Sequence, residues 1–257
     1  MQTAPQTSSR RRIHYPESDG KPMAETDTHR TEMIWAIECL KRHFQPQPLV
    51  YVTGNILFYY VEDDPKKCFS PDVVVVRGVP SHLRRTYLLW EEGKAPCFVL
   101  EVTSRKTRSV DWNKKLQLYA QLGVHEYVMF DPLDEYLRHA PLQLMRLEGT
   151  KYVVASPEGD GSLLSRELGL KLLLLEGRLR FQDLSTGKLL MDLSETDDER
   201  IQAEMQARLE AARANVAEEQ RRLEAARAEE AEGRAKKAEE ELEQLRAQLV
   251  ALQKGRS

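Results

Sequence analysis

Residues 97–130 read CFVLEVTSRKTRSVDWNKKLQLYAQLGVHEYVMF, and the changes of pattern within this stretch decide the class of fold. Cys97 to Thr103 is an apolar run of strand length interrupted by a single acid, Glu101. Ser109 or Asp111 can cap a helix that runs through Leu122, with Gly123 as a natural C-terminal stop. Glu126 to Phe130 then returns to strand before Asp131-Pro132. A strand, helix, strand unit of this kind places the chain in the α/β class.

The flanking sequence extends the unit in both directions. Upstream, Asp72 to Arg77 contains Val73-Val74-Val75-Val76, which suits a strand covered on both faces. Leu49 to Val61 is rich in β-branched and aromatic residues and is broken by Gly54-Asn55. Further back, Thr26 or Thr28 can cap a helix through Phe44, with Ile34, Ile37, Cys39, Leu40 and Phe44 as its apolar positions and Gln45-Pro46 as its stop. Downstream, Leu142 to Val154 and Leu170 to Leu184 read as Gly-turned hairpins forming a small antiparallel extension. The spacing predicts a lead-in over 1–25, disordered by composition, a domain over 26–195 and a helical tail over 196–257.

From Thr196 onward aromatics and Pro are absent while Ala, Glu, Arg and Gln dominate, the composition of a long helix or coiled coil. Ile201, Met205, Ala212, Val216, Leu223 and Ala226 lie near heptad spacing, and Ala238, Leu242, Leu245, Leu249 and Leu252 repeat it. The two runs are out of phase and Gly233 sits in the break, so two helical segments or a weak joint are expected.

Charge follows this division. Of 41 acidic and 38 basic residues, the tail holds 15 and 12, so subtraction leaves 26 of each in residues 1–195, and the net −3 belongs to the tail. A neutral body excludes a generally basic nucleic-acid coating protein. No apolar run approaches the ~18 residues of a membrane span. Cys39, Cys68 and Cys97 form neither a CxxC pair nor a plausible disulfide framework, and Arg10-Arg11-Arg12 is followed by no apolar core; a cytoplasmic protein with reduced thiols is expected. GxGxxG, P-loop and GxSxG signatures are absent, and the six histidines, which show no ligand pair at helical spacing, read mostly as surface residues.

Asp72 and Glu101 stand where carboxylates are costly, one opening the all-valine strand and one inside an apolar strand. Nine bases against four acids between Arg77 and Lys115 make the surroundings locally positive. Two acids on adjacent strands can share divalent ions, and a nearby lysine can stabilise a phosphate, which is the chemistry of metal-assisted phosphodiester hydrolysis. On the helix, Lys115 borders the side of Leu118 and Leu122 and can face the sheet, whereas Lys114 is turned about 100° away. An ordinary network of ion-paired acids and a solvated basic helix start is the competing reading of the same residues.

Several motifs in order carry a resemblance: Ser70-Pro71-Asp72-Val73-Val74-Val75-Val76, Val99-Leu100-Glu101-Val102-Thr103-Ser104 with Thr107-Arg108 and Asp111, Lys115 through Val124, Glu126-Tyr127 and Asp131-Pro132. Across about residues 26–190 the chain resembles the Uma-two family of restriction-endonuclease-like proteins, within the PD-(D/E)XK nuclease superfamily. The resemblance implies a mixed central sheet flanked by helices and a Mg2+ (or Mn2+) dependent DNA endonuclease. It implies Asp72 and Glu101 as metal ligands with the Val102 carbonyl as a third. The usual lysine position is Thr103, and Lys115 stands where the resembling family places its lysine. Arg105, Lys106, Arg108 and Lys114 are candidates for substrate contact, and Glu32 is a candidate for a further acid from the first helix, against a solvated helical glutamate. DNA is the expected partner, with homo-oligomerisation through the coiled coil. The competing function is a nuclease-fold DNA-binding or scaffold protein without turnover.

Overall fold

A computed structural model describes residues 13–18, 20, 26–103, 111–137 and 140–254. The chain divides into two compact units, Met1–Leu193 and Ser194–Ser257.

The first unit opens on helix α1, Asp27–Phe44, whose first turn is closed by Thr26 Oγ1 accepting from His29 N at 3.2 Å. Strands β1 (Val50–Thr53), β2 (Phe58–Tyr59), β3 (Cys68–Phe69), β4 (Val73–Arg77) and β5 (Tyr87–Leu88) follow, then the single turn α2 (Leu89–Glu92). Next come β6 (Phe98–Val102), α3 (Asp111–Leu122), β7 (Glu126–Phe130), β8 (Leu142–Glu148) and β9 (Lys151–Val154). β10 (Leu163–Ser165), β11 (Leu170–Leu175) and β12 (Arg178–Asp183) complete the unit.

The central sheet has the order β1-β4-β6-β7-β8-β9. β6 and β7 are parallel and every other neighbouring pair is antiparallel, so the sheet is mixed. Its one parallel step needs the crossover that α3 supplies. Both faces are covered. Val73 and Val75 of β4 with Phe98, Leu100 and Val102 of β6 pack with Met33, Ala36 and Leu40 of α1. Val74, Val76 and Val99 pack on the other face with Tyr119 of α3. That two-sided burial is why β4 reads as unbroken valine.

Two expectations are corrected. Ile34 of α1 is 49% exposed, and the inward stripe is His29, Met33, Ala36, Leu40, a spacing of three or four. The hairpin of β8 and β9 is no separate extension but the far edge of the central sheet. Only β10, β11 and β12 form a second antiparallel sheet, which shares the α1 core through Phe181 stacked on Trp35, centroids 5.3 Å apart. A third sheet of two-residue strands, β3-β2-β5, brings Phe58, Phe69 and Tyr87 into the core on the α3 side. Tyr15 packs against Tyr59 and Trp90 there.

The second unit is carried by α4, Leu193–Lys254, a single helix of 62 residues that runs through Gly233 without a joint. One glycine costs about 1 kcal/mol, which the surrounding Ala, Glu, Arg and Lys residues offset over many turns. Ile201, Met205 and Leu209 are exposed on it. Among the described residues no helix is long and apolar enough to cross a membrane.

Candidate active site

β4 and β6 pair with Val73 opposite Leu100, so Asp72, the residue before β4, and Glu101, the residue after Leu100, come to the same end of the pair. Their charges are close enough that Asp72 opposes the ionisation of Glu101. Pro71 ends the β4 ladder at this point. The Asp72 side chain takes over its bonding, with Oδ2 accepting from Val102 N at 2.8 Å.

The backbone at Asp72 is fixed from β1. A Cβ on Gly54 would lie 1.9 Å from the Asp72 carbonyl oxygen, so only glycine allows this approach. Asn55, at φ +55°, donates its N–H to Pro71 O at 2.8 Å. The Gly54-Asn55 break therefore positions the aspartate.

Glu101 is 7% exposed and holds two contacts from α3. Tyr119 Oη donates to Oε1 at 2.6 Å and Lys115 Nζ to Oε2 at 2.9 Å. These donors are four residues apart on one helix face, while Lys114, just before them in sequence, is exposed. Burial, and then the facing Asp72, push the Glu101 carboxyl up to about 7 against the opposing pull of Lys115 and Tyr119. Tyr119 is itself held well above its usual value, first by burial and then by Glu101, and so remains a neutral donor.

Thr103 is turned to other work. Its N and Oγ1 both donate to Phe130 O, at 2.7 and 3.1 Å, locking the ends of β6 and β7 together. Beyond Phe130, Asp131 is 1% exposed and accepts from the N–H groups of Leu133, Tyr136 and Leu137, fixing the loop beside the site.

The structure thus brings together Asp72, Glu101, Val102 and Lys115. Arg105, Lys106 and Arg108 lie outside the described residues. Glu32 is buried, not solvated, and its Oε1 accepts from Arg178 Nε of β12 at 2.9 Å. Arg84 is bonded to Glu92 at 2.5 Å and lies over the Tyr51 ring, whereas Arg85 is 83% exposed at its side chain.

Sequence reasoning missed His29 and Tyr119. His29 is 5% exposed, and its Nε2 lies 3.2 Å from Asp72 Oδ2. Its signal was its place at the head of the α1 inward stripe. Among the described residues, His, Cys, Asp and Glu side chains form no group of three that could hold a metal ion. The side-chain oxygens that come together at the site are those of two carboxylates, Asp72 and Glu101.

A mixed sheet that brings acids from adjacent strands and a lysine from the next helix to one point has the organisation of a restriction-endonuclease-like domain. The chain belongs to the Uma2 family, described as "Putative restriction endonuclease", whose model matches residues 4–176. It is also similar to the crystal structure of "a putative nuclease belonging to DUF820 from Anabaena variabilis ATCC 29413", with a TM-score of 0.42 and 16% identity over 58% of this chain and 76% of that one. No curated protein matched the sequence.

Proposed function

We propose that this chain is a divalent-metal-dependent endonuclease that hydrolyses DNA phosphodiester bonds, with Asp72, Glu101 and Lys115 at its centre. The observation that carries this reading is the confrontation of two carboxylates across β4 and β6 with a lysine ammonium 2.9 Å from one of them. The residues fit a hard cation such as Mg2+ or Mn2+. Asp72 Oδ1 receives no hydrogen bond among the described residues, and the donors Asp72, Glu101 and the Val102 carbonyl are all oxygens. The like-charge pair, only partly neutralised by Lys115, gives a second positive charge a place. A cation held there supplies an acidic bound water and charge stabilisation at a phosphate.

The chain's own groups do the remaining work. Asp72 and Glu101 fix the position of the ion. Tyr119 holds the Glu101 carboxylate in one orientation. Lys115 stands beside it to neutralise the charge that develops on the attacked phosphate. The exposed Lys114, with the basic segment Arg105, Lys106 and Arg108, contacts the DNA backbone. The tail joins copies of the chain through its heptad seam.

A second reading, a nuclease-fold DNA-binding or scaffold protein acting through its tail, has one observation in its favour: the position of the usual lysine is Thr103, which is bound to Phe130. Plasmid cleavage separates the two. Wild type is expected to cut with Mg2+ or Mn2+ and not in chelator, and Asp72→Ala, Glu101→Ala and Lys115→Ala are expected to lose the cut while still binding DNA. Cleavage retained in Asp72→Ala and Glu101→Ala sinks the assignment, and DNA binding by wild type without any metal-supported cut favours the second reading.

A further inference from the structure

We infer that His29 is a positioning residue that fixes which oxygen of Asp72 is offered to a divalent cation, an inference that rests on the nuclease reading above. Both donors that reach the Asp72 carboxylate fall on Oδ2: Val102 N at 2.8 Å and His29 Nε2 at 3.2 Å. A carboxylate oxygen accepts, so the ring hydrogen in this contact sits on Nε2. A single bond from Val102 N would leave the carboxylate free to swing about that contact. A second donor on the same oxygen, arriving from a different element, removes that freedom and leaves Oδ1 to neither donor.

His29 is held to this task from both ends of its turn. Thr26 Oγ1 accepts from His29 N at 3.2 Å, so the first turn of α1 is closed around it. One turn later Glu32 Oε1 accepts from Arg178 Nε at 2.9 Å across 146 residues of sequence, which fixes the rotation of the helix about its axis. The imidazole is 7% exposed, so it is withdrawn from any bound nucleic acid and acts through Asp72. A donor behind a metal-holding carboxylate orients it and tunes its basicity, and removal of such a partner weakens metal affinity about 10- to 100-fold.

The test is Mn2+ binding to the full-length chain, followed by electron paramagnetic resonance, for wild type, His29→Leu and His29→Gln. Leucine keeps the volume and has no donor, whereas the glutamine amide nitrogen reaches about as far as Nε2. His29→Leu is expected to bind Mn2+ about 10- to 100-fold more weakly, and His29→Gln to return to within about threefold of wild type. If His29→Leu does not fold, His29→Asn, whose amide is one methylene short, replaces it with the same expected loss. Urea unfolding in chelator runs beside each measurement, because a role in packing alone would lower stability without a rescue by glutamine. Equal Mn2+ affinity in wild type and His29→Leu overturns the inference while leaving the nuclease reading intact, as does a His29→Gln protein as weak as the leucine variant. A wild-type chain that binds no Mn2+ overturns the metal site and this inference together.

Discussion

Glu101→Gln is expected to make the metal-free protein more stable at neutral and alkaline pH while abolishing cleavage. Burial moves the Glu101 carboxyl from its usual 4.5 to about 7. A raised carboxyl pKa means that the folded state binds the proton more tightly than the unfolded state. Its contribution to stability is therefore fully present below about pH 4.5 and is lost as pH rises through about 7. At 1.36 kcal/mol per pH unit, the loss between about pH 5 and pH 8 is on the order of 2–3 kcal/mol. Glutamine does not titrate, and it fits the same contacts: its carbonyl accepts from Lys115, and the Tyr119 hydroxyl turns to accept from its amide. The assay is urea unfolding of both proteins in chelator across this range, read as the difference between them. The difference matters because His43, lowered first by burial, contributes with the opposite sign: it stabilises above its unfolded value near 6.5 and that stability is lost as pH falls. Both proteins carry His43, so its part cancels. Parallel pH profiles for the two proteins would refute the argument, because they would mean that Glu101 carries no strain when ionised.

Three further outcomes are expected. Gly54→Ala should unfold the domain or displace Asp72, since the new methyl would meet the Asp72 carbonyl at 1.9 Å, well inside contact distance; near-ultraviolet circular dichroism and cleavage should fall together. Asp131→Ala should cost about 1–3 kcal/mol in urea unfolding, because the N–H groups of Leu133, Tyr136 and Leu137 lose their shared acceptor. Sedimentation equilibrium of the full chain should show concentration-dependent association, which Leu245→Asp together with Leu249→Asp should abolish if the second heptad run is the seam.

How much of this was legible in sequence depended on how locally each feature is determined. α1, β4, β6, α3 and β7 announce themselves through caps, stops and apolar runs within a few residues. Thr26 does cap α1, and Val73 to Val76 do form a strand buried on both faces. Pairing is a different matter. The alternation in Leu142 to Val154 specifies a hairpin, but which sheet edge receives it depends on a free edge at β7, which the pattern of the hairpin itself does not reveal. The β2, β3 and β5 strands are two residues each, too short to carry a period. At the site, Asp72 and Glu101 stood out because an acid among valines is conspicuous. His29 did not, because its burial follows from the packing of α1 and its partner lies 43 residues away.

The neutral body seen in the sequence takes its meaning from burial. An equal count of acids and bases describes long-range fields, and these are screened within about 8 Å at physiological salt. Asp72, Glu101 and Lys115 act over much shorter distances in a site mostly removed from water. Two acids against one lysine leave the group short of positive charge even though the domain as a whole balances. A lysine at 103 would keep the backbone N–H bond to Phe130 O and lose only the bond donated by the threonine hydroxyl. With the cation at 115 the hydroxyl bond at the strand end is also kept, and the helix, held to the sheet through the Tyr119 contact with Glu101, carries the charge in.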